Sequence, residues 1–394
     1  MNSALLKPDV QDFIRKNFKA DVSKIAFKGS PFKDISTREL AEQLSGRRKA
    51  EKKLPTWFKT ERIVFPPSVN LEQTSSETTA AYKASLVSGK NLADLTGGFG
   101  VDAYFFSKKV ENVRHFELND SLSQIVAHNL KVLEAQNIEV KSGDGLSFLA
   151  QTALEFDWLY LDPSRRTDAG GRIFQLSDCL PNVPEHLDLL LKKSRNILVK
   201  TSPLLDLQAG LRELKNVATI HIVAVENKVK ELLWILHQST NSTEATKIVT
   251  VNLRKKGNEH FEGIFGAYSN PFYSKPLSWL YEPNGAIMKS GLFDPLSEEF
   301  KVAKLHPNSH LFTSENLNEN FPGRQFEIME VLPYQRKKLK AALKLKKANI
   351  TTRNFPESVE NLRKKLKIEE GGEHYLFFTT TGKDEKICIV CAKA

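Results

Sequence analysis

A glycine-rich turn that follows a short apolar run is the feature of this sequence whose chemistry is easiest to read. In the stretch 91–102, NLADLTGGFGVD, the apolar run stops at Asp94 and the chain turns through Gly97, Gly98 and Gly100. The pattern predicts a strand, a turn and the start of a helix. Glycines let a ligand approach the backbone N–H groups, so we expect an adenosine-bearing ligand at this strand end.

The turn alone leaves two ligand classes open. Gly98, Gly100 and Ala103 satisfy the fingerprint G-x-G-x-x-A, in which a helix N-terminus receives the pyrophosphate of a dinucleotide. The other class is S-adenosylmethionine, which has no phosphate and carries positive charge on its amine and sulfonium. Asp94 favours the second class, because an acid beside the turn would repel phosphates.

The segment 91–237 alternates predicted strands and helices at the spacing of a doubly wound sheet. The predicted strands are 92–95, 113–118, 138–144, 156–163 and 195–203, followed by a final pair at 219–226 and 231–237. The interval within that pair is too short for a parallel crossover, so we expect an antiparallel hairpin there.

Each of the first five strands ends in a polar residue. These residues are Asp94, Glu117, Asp144, Asp162 and Lys200. In an open parallel sheet, ligands bind outside the carboxyl ends of the strands, so we expect the five side chains to converge on one site.

Two of these acids have an expected role in ligand binding. A carboxylate at Glu117 can accept hydrogen bonds from both hydroxyls of a ribose, although dinucleotide enzymes place an acid there too. Asp144 fits a carboxylate that bonds the exocyclic amine of adenine. Together with Asp94, this pattern favours S-adenosylmethionine as the cofactor, and the expected cofactor-binding residues are Asp94, Thr96, Gly97, Gly98, Gly100, Glu117, Asp144, Gly145 and Asp162.

The segment 91–237 resembles the class I S-adenosylmethionine-dependent methyltransferases. DLTGGFG at 94–100 is similar to their first motif, Glu117 to their second, GDG at 143–145 to their third and LDPSRR at 161–166 to their fourth. The resemblance implies an α/β, Rossmann-like core, namely a doubly wound sheet with a final antiparallel strand. An N-terminal helical domain and a C-terminal α+β module complete the expected fold.

The turn after the fourth strand is the expected catalytic turn, with Asp162, Pro163 and Arg165 as its residues. In the resembling amino-methyltransferases, a D-P-P-aromatic turn holds an exocyclic amine and stacks on the base. This chain keeps Asp162 and Pro163 but continues with Ser164, Arg165 and Arg166. An arginine can stack on a base or hold a phosphate, and the alternative is a salt bridge to Asp168 or Asp178.

The cysteines do not indicate a metal site or a covalent mechanism. Carbon methylation of pyrimidines uses a cysteine nucleophile at the catalytic turn or the last strands of the core, and Cys179 lies beyond that turn. Cys388 and Cys391 form a single C-x-x-C without a second ligand pair, so no zinc site is expected. Three cysteines are too few for a disulfide framework.

Positive charge is concentrated at the two ends of the chain. The net charge is +10, with 15 Lys and Arg against 8 Asp and Glu in residues 1–64, and 13 against 4 in residues 324–367. Such basic flanks indicate a polyanionic partner, and the alternative is that the lysines form solvated helix faces.

Segments downstream of the core resemble bacterial methyltransferases that carry a ferredoxin-like piece and a THUMP-like C-terminal module. They are YEPNGAIMKSG, LHPNSHLFTS, FPGRQFEI and LRKKLKIEEGGEHYLFFTT. The resemblance implies that the substrate is RNA, either tRNA or rRNA. We expect phosphate contacts from Lys337, Lys338, Lys346, Lys347, Arg363 and Lys364.

The expected domains are an N-terminal helical domain at 1–66, a methyltransferase core at 67–255, a linker with a ferredoxin-like segment at 256–324 and the THUMP-like module at 325–394. Because the sequence has no long apolar run and no basic leader with an apolar core, we expect a cytoplasmic protein that does not insert into a membrane. We further expect a monomer. The alternatives are a protein that binds S-adenosylmethionine and RNA without catalysis, and a methyltransferase with a non-RNA substrate.

Overall fold

The computed structural model describes residues 1–165, 175–240, 245–267 and 269–394, and the statements below concern these residues. The side chains of Lys24, Ala26, Arg165, Arg336, Lys338 and Lys340 also lie outside the described part. Two compact units are present. The first comprises Met1–Ala218 and Leu232–Glu244, and the second comprises Thr219–Glu231 and Ala245–Ala394.

Helices dominate the N-terminus and then alternate with strands. The α-helices are α1 (Pro8–Asn17), α2 (Val22–Lys28), α3 (Thr37–Lys53), α4 (Pro55–Lys59), α5 (Ser68–Gln73), α6 (Glu77–Ala84), α7 (Val101–Phe106), α8 (Asp120–Val132), α9 (Gly145–Gln151), α10 (Val183–Lys193), α11 (Leu207–Glu213), α12 (Gly285–Ser290), α13 (Phe293–Phe300), α14 (Arg336–Ala342) and α15 (Val359–Leu366). Short 3₁₀ helices occupy Ser3–Leu6 and Leu176–Asp178.

The strands fall into a first group around the glycine turn and a second group in the C-terminal half. They are β1 (Gly89–Asp94), β2 (Val110–Glu117), β3 (Ile138–Ser142), β4 (Phe156–Leu161), β5 (Ser164–Arg165), β6 (Cys179–Leu180), β7 (Ser194–Thr201), β8 (Val217–Val225), β9 (Lys228–His237), β10 (Lys247–Leu253), β11 (Glu259–Ile264), β12 (Trp279–Pro283), β13 (Ala303–Lys304), β14 (Phe312–Ser314), β15 (Gly323–Pro333), β16 (Asn349–Arg353), β17 (His374–Thr380) and β18 (Lys386–Lys393).

The sheet of the first unit has the predicted doubly wound form. Its strands run in the order β9, β7, β4, β1, β2, β3, and β1 pairs in parallel with both β2 and β4. The sheet continues in parallel from β2 to β3 and from β4 to β7, whereas β9 is antiparallel to β7. The predicted fold class, including its final antiparallel strand, is therefore confirmed.

The N-terminal helices pack on the same core as the helices that flank this sheet. Ser36 caps α3 in a capping box with Glu39, which fixes where that helix begins. The next helix, α4, contributes Trp57, which is fully buried and whose ring lies 5.0 Å from that of Tyr104 of α7. Ala50, Leu54 and Trp57 thus belong to one apolar cluster with residues of α7 and α8.

The second unit confirms the predicted C-terminal α+β module. Its larger sheet runs in the order β13, β14, β12, β15, β18, β17, β16, with β17 antiparallel to β18 and parallel to β16. Elsewhere in the unit, β10 pairs in parallel with β8 and antiparallel with β11. Glu226 and Asn227 form the two-residue turn between β8 and β9, and both have positive φ.

Apolar clusters cover both faces of the larger sheet. On one face, Leu339 of α14 and Leu362 of α15 are fully buried with Phe378. On the other face, Phe326 and Phe377 pack with Leu280 and Leu305. No helix in the described part of the chain combines the length and apolarity that a membrane crossing requires.

The cysteines of the terminal strand β18 are structural. Cys388 and Cys391 are both fully buried in these clusters and are free of disulfides. Burial raises the pKa of the Cys391 thiol to about 12 and raises that of Cys388 further. The thiols therefore stay protonated and unreactive at neutral pH.

Candidate active site

The amides of the glycine turn donate hydrogen bonds within the protein. Gly97 donates to the Phe116 carbonyl at 2.8 Å, and Gly98 donates to the Glu117 carboxylate at 2.9 Å. Thr96 donates to Asp94 at 3.2 Å, and Gly100 donates to the Gly97 carbonyl at 3.3 Å. The sequence led us to expect these N–H groups to face a ligand, and the structure corrects that expectation.

Asp94 lies beneath the turn and not beside the crevice. Its carboxyl is fully buried, and its Oδ2 lies 3.2 Å from Nδ1 of His115, which is also fully buried. Burial raises the pKa of Asp94, and the hydrogen bond with His115 offsets part of that rise. The predicted direct contact between Asp94 and a ligand does not fit this burial, because one oxygen accepts the amide of Thr96 and the other bonds His115 of β2.

Gly97 and Gly98 differ in what a side chain would meet, which gives a matched pair of variants. A Cβ at Gly97 would lie 2.4 Å from the His115 ring, whereas a Cβ at Gly98 would meet nothing within 4 Å. Gly97→Ala should lower the free energy of unfolding by about 2–3 kcal/mol through overpacking. Gly98 has a φ of +60°, so Gly98→Ala should lower the free energy of unfolding by only about 1 kcal/mol.

The two substitutions should therefore separate in two measurements. Thermal melting should show the larger loss of stability for Gly97→Ala. Calorimetry with S-adenosylmethionine should show weaker binding for Gly98→Ala, because its methyl group enters the space expected to hold the ligand. Wild-type affinity in Gly98→Ala would place the ligand elsewhere.

Glu117 ends β2 and faces the turn. Besides the amide of Gly98, its carboxylate accepts the amide of Asn119 at 2.7 Å, while each oxygen keeps a further lone pair for a hydroxyl. The next residue, Leu118, is 75% exposed. Leu118 is not among the residues that the sequence assigned to the cofactor.

Asp144 caps helix α9. Its Oδ1 accepts the amide of Leu146 at 3.0 Å, and its Oδ2 accepts the hydroxyl of Ser147 at 2.7 Å. The side chain is exposed, so its predicted bond to an adenine amine stays a prediction. The neighbouring Gly145 is buried, and a Cβ there would lie 2.9 Å from Cα of Leu95 at the end of β1. Gly145 thus lets α9 start against the glycine turn.

A hydrogen bond joins the glycine turn to the turn after β4, which is the predicted catalytic turn. The amide of Asp162 donates to the Thr96 hydroxyl at 2.6 Å. The Asp162 carboxylate is partly exposed, and its Oδ2 accepts Nζ of Lys200 at 2.5 Å. Pro163 is buried behind it. The structure therefore brings Thr96, Asp162 and Lys200 together, and the ion pair identifies Lys200 as a partner of Asp162.

The predicted role of Arg165 concerns a side chain outside the described part of the chain, and Arg166 and Asp168 also lie outside it. The backbone of Arg165 pairs with that of Cys179 in the short ladder between β5 and β6. This ladder fixes the direction in which the chain leaves Asp162.

A buried polar network holds the start of helix α7, which follows the glycine turn. Asp102, in the first turn of α7, accepts hydrogen bonds at 2.9 Å from the hydroxyls of Ser75 and Tyr160. The buried ammonium of Lys83 lies 3.3 Å from the same carboxylate. The next residue after Ser75, Ser76, caps α6. Ser76 therefore has a capping role in α6, while the hydroxyl of Ser75 bonds Asp102 of α7.

Comparison with known proteins places these features in a wider context. A family model described as a THUMP domain-like domain matches residues 323–393, and a model described as a ferredoxin-like domain matches residues 279–322. The crystal structure named as a putative methyltransferase from Porphyromonas gingivalis W83 is 29% identical, covers 100% of this chain and 99% of its own, and superposes with a TM-score of 0.90. This chain has the architecture of a methyltransferase with a THUMP-like module.

Other similar structures match only part of this methyltransferase-like chain. The putative methyltransferase yhhF of Escherichia coli is 21% identical over 41% of this chain and 84% of its own, with a TM-score of 0.30. An rRNA methylase from Streptococcus thermophilus is 13% identical over 40% of this chain and 93% of its own, also with a TM-score of 0.30. No curated protein sequence matches the chain.

The basic residues predicted to bind RNA lie in the THUMP-like module, and some of them lie close to acidic side chains. Lys337 is exposed on α14, while Lys346 and Lys347 are exposed in the segment after it. Lys347 lies 3.8 Å from Glu369, and Lys364 pairs with Glu360 at 2.8 Å. The side chain of Lys338 lies outside the described part.

Arg363 differs from these lysines because it bonds the backbone. Its Nη1 donates to the carbonyls of Ala348 and Ile368, at 3.3 and 3.5 Å. The residue therefore has a structural contact in α15 in addition to its predicted contact with RNA.

Proposed function

We propose that the protein is an S-adenosylmethionine-dependent methyltransferase that modifies a base of structured RNA. The choice of cofactor rests on the hydrogen bonds that the amides of the glycine turn already make within the protein. Because Thr96, Gly97, Gly98 and Gly100 donate to protein acceptors, they do not form the phosphate cradle that a dinucleotide requires.

The chain's own residues fit an adenosyl group. Glu117 has acceptor capacity for the ribose hydroxyls, and the exposed side chain of Leu118 offers an apolar surface to the adenine ring. Positions Gly98 and Gly143 both face open space, since a Cβ at either would meet no atom within 4 Å. We assign Asp144 to the adenine amine and the glycine turn to the methionine part of the ligand.

S-adenosylmethionine supplies a methyl group that its sulfonium already activates for in-line displacement. The protein has to orient the acceptor atom and receive one proton. Asp162 is the residue for both tasks, since Lys200 and Thr96 hold its side chain and backbone at the end of β4. Its Oδ1 accepts no hydrogen bond within the described residues and is the atom proposed to face the acceptor.

The proposed RNA substrate is supported by charge and by the THUMP-like match. Residues 324–367 carry 13 Lys and Arg against 4 Asp and Glu, and the family model covers 323–393. In this proposal residues 67–255 catalyse, residues 325–394 bind RNA, and 1–66 and 256–324 flank them. The protein acts as a cytoplasmic monomer.

Calorimetry on the wild-type protein tests the cofactor. S-adenosylmethionine and its demethylated product should both bind, whereas NAD and NADP should give no heat of binding. Tighter binding of either dinucleotide would reject the assignment, because the turn would then have to accommodate a pyrophosphate.

A further inference from the structure

A buried carboxylate in the second unit holds two arginines from different strands. Glu282 lies in β12, and its side chain is only 4% exposed. Its Oε1 accepts Nη2 of Arg353 at 2.8 Å, and its Oε2 accepts Nε of Arg324 at 2.6 Å. One acid thus sets two guanidinium groups side by side at the ends of β15 and β16.

The cluster of Glu282, Arg324 and Arg353 is not neutral. A single carboxylate balances one of the two guanidinium charges, which leaves an excess of one positive charge. The Arg324 and Arg353 side chains are 41% and 33% exposed, so both reach solvent. Within the described part of the chain, neither Nη1 atom donates a hydrogen bond. These donors can bind a partner group that carries several acceptor oxygens.

The positive charges of Lys304 and Arg353 act on His310, which is itself neutral. Burial, together with the positive charges of Lys304 and Arg353, lowers the pKa of His310 to about 4, while the charge of Asp294 acts in the opposite direction. The imidazole is therefore neutral at neutral pH and stacks on Phe293 with a ring separation of 3.7 Å. Neutral His310 therefore adds no positive charge to the cluster, and the positive charges near it disfavour its protonation.

We infer that Arg324 and Arg353 form a clamp for a phosphodiester group of the RNA backbone. The inference rests on RNA being the substrate, as proposed above. A guanidinium fork matches two oxygens of a phosphate, and an arginine that is already held in place loses little freedom on binding. A peptide carboxylate would fit the same fork, but the basic balance of residues 324–367 favours a long polyanion.

Glu282 is the positioning residue of this clamp. It keeps the two guanidinium groups within reach of one phosphate, although their charges repel each other. Both family-model segments contribute, because Glu282 lies in the ferredoxin-like match and the arginines lie in the THUMP-like match. The clamp therefore depends on the two segments forming one sheet, in which β12 pairs with β15.

The test measures binding of labelled total tRNA to the full chain at several salt concentrations. The double variant Arg324→Gln and Arg353→Gln should bind about tenfold or more weakly, and its salt slope should fall by about 1.4–1.8, because two phosphate contacts are lost. Lys255→Gln with Lys256→Gln is the matched control. It removes the same charge from an exposed turn of the same unit and should keep the wild-type slope.

A wild-type measurement keeps the test valid if the double variant fails to fold. Phenylglyoxal modifies exposed arginines, and mass spectrometry can follow Arg324 and Arg353 individually. Bound tRNA should protect both residues, and polyglutamate at equal charge should not. An unchanged salt slope in the folded double variant, or equal modification with and without tRNA, would overturn the clamp.

These outcomes can be told apart from a failure of the proposed activity. If methyl transfer to RNA occurs and the double variant binds like the wild type, the clamp is wrong and the proposed function stands. If polyglutamate protects the arginines and tRNA does not, the site is a peptide site and the clamp is wrong, and the proposed function is then decided by methyl transfer to RNA alone.

Discussion

Replacing Glu117 with alanine should lower the affinity for S-adenosylmethionine about tenfold to a hundredfold, since about 1.4–2.7 kcal/mol of hydrogen bonding is lost. The loss has two physical sources. The carboxylate is proposed to bind the ribose hydroxyls, and it also fixes the amides of Gly98 and Asn119 at 2.9 and 2.7 Å. Calorimetry with S-adenosylmethionine and with its demethylated product measures the effect.

Glu111→Ala is the matched control for this substitution. Glu111 is exposed on the same strand, β2, but lies near the end away from the glycine turn. It should leave the affinity unchanged. If Glu117→Ala binds the cofactor as tightly as the wild type while remaining folded, the ribose assignment is wrong.

Replacing Asp162 with asparagine should lower the rate of methyl transfer about a hundredfold or more, while RNA affinity stays within about twofold. The carboxylate is proposed to orient the acceptor and receive its proton, so its charge is needed in the transition state. The neutral amide also loses the ion pair with Lys200, whose Nζ lies 2.5 Å from Oδ2. Single-turnover kinetics and a separate RNA-binding assay distinguish the two effects.

Two further variants sharpen this result. Lys200→Met should slow transfer less than Asp162→Asn, because it removes the group that holds the carboxylate and leaves the carboxylate itself. Glu155→Gln changes an exposed acid just before the start of β4, the strand that ends beside Asp162, and should transfer at the wild-type rate. Equal rates for Asp162→Asn and the wild type would remove Asp162 from the reaction.

The sequence predicted the sheet and proposed the edge that holds the candidate site. Glycines after a buried strand, and acids at the ends of the next strands, are local patterns that depend on the chain direction in a parallel sheet. They placed Glu117 at the end of β2 and Asp162 directly after β4, as the structure has them. They did not predict the burial of Asp94, because the last side chain of a strand can face either the crevice or the core.

Contacts between distant residues were beyond the sequence. Lys200 meets Asp162 across 38 positions, and Glu282 meets Arg353 across 71. No local period records such pairs. The basic residues show the same limit, because charge counting identified a basic segment but could not distinguish Arg363, which bonds backbone carbonyls, from an exposed lysine such as Lys337.

Transfer of a labelled methyl group is the most direct test of the central claim. The wild-type protein is incubated with S-adenosylmethionine labelled in its methyl group and with RNA fractions from cells that lack the protein. The account predicts that one fraction of structured RNA acquires label, that mass spectrometry finds a methylated base, and that Asp162→Asn abolishes most of the signal. Cofactor binding without transfer to any RNA fraction would contradict it and would indicate a binding protein or a substrate other than RNA.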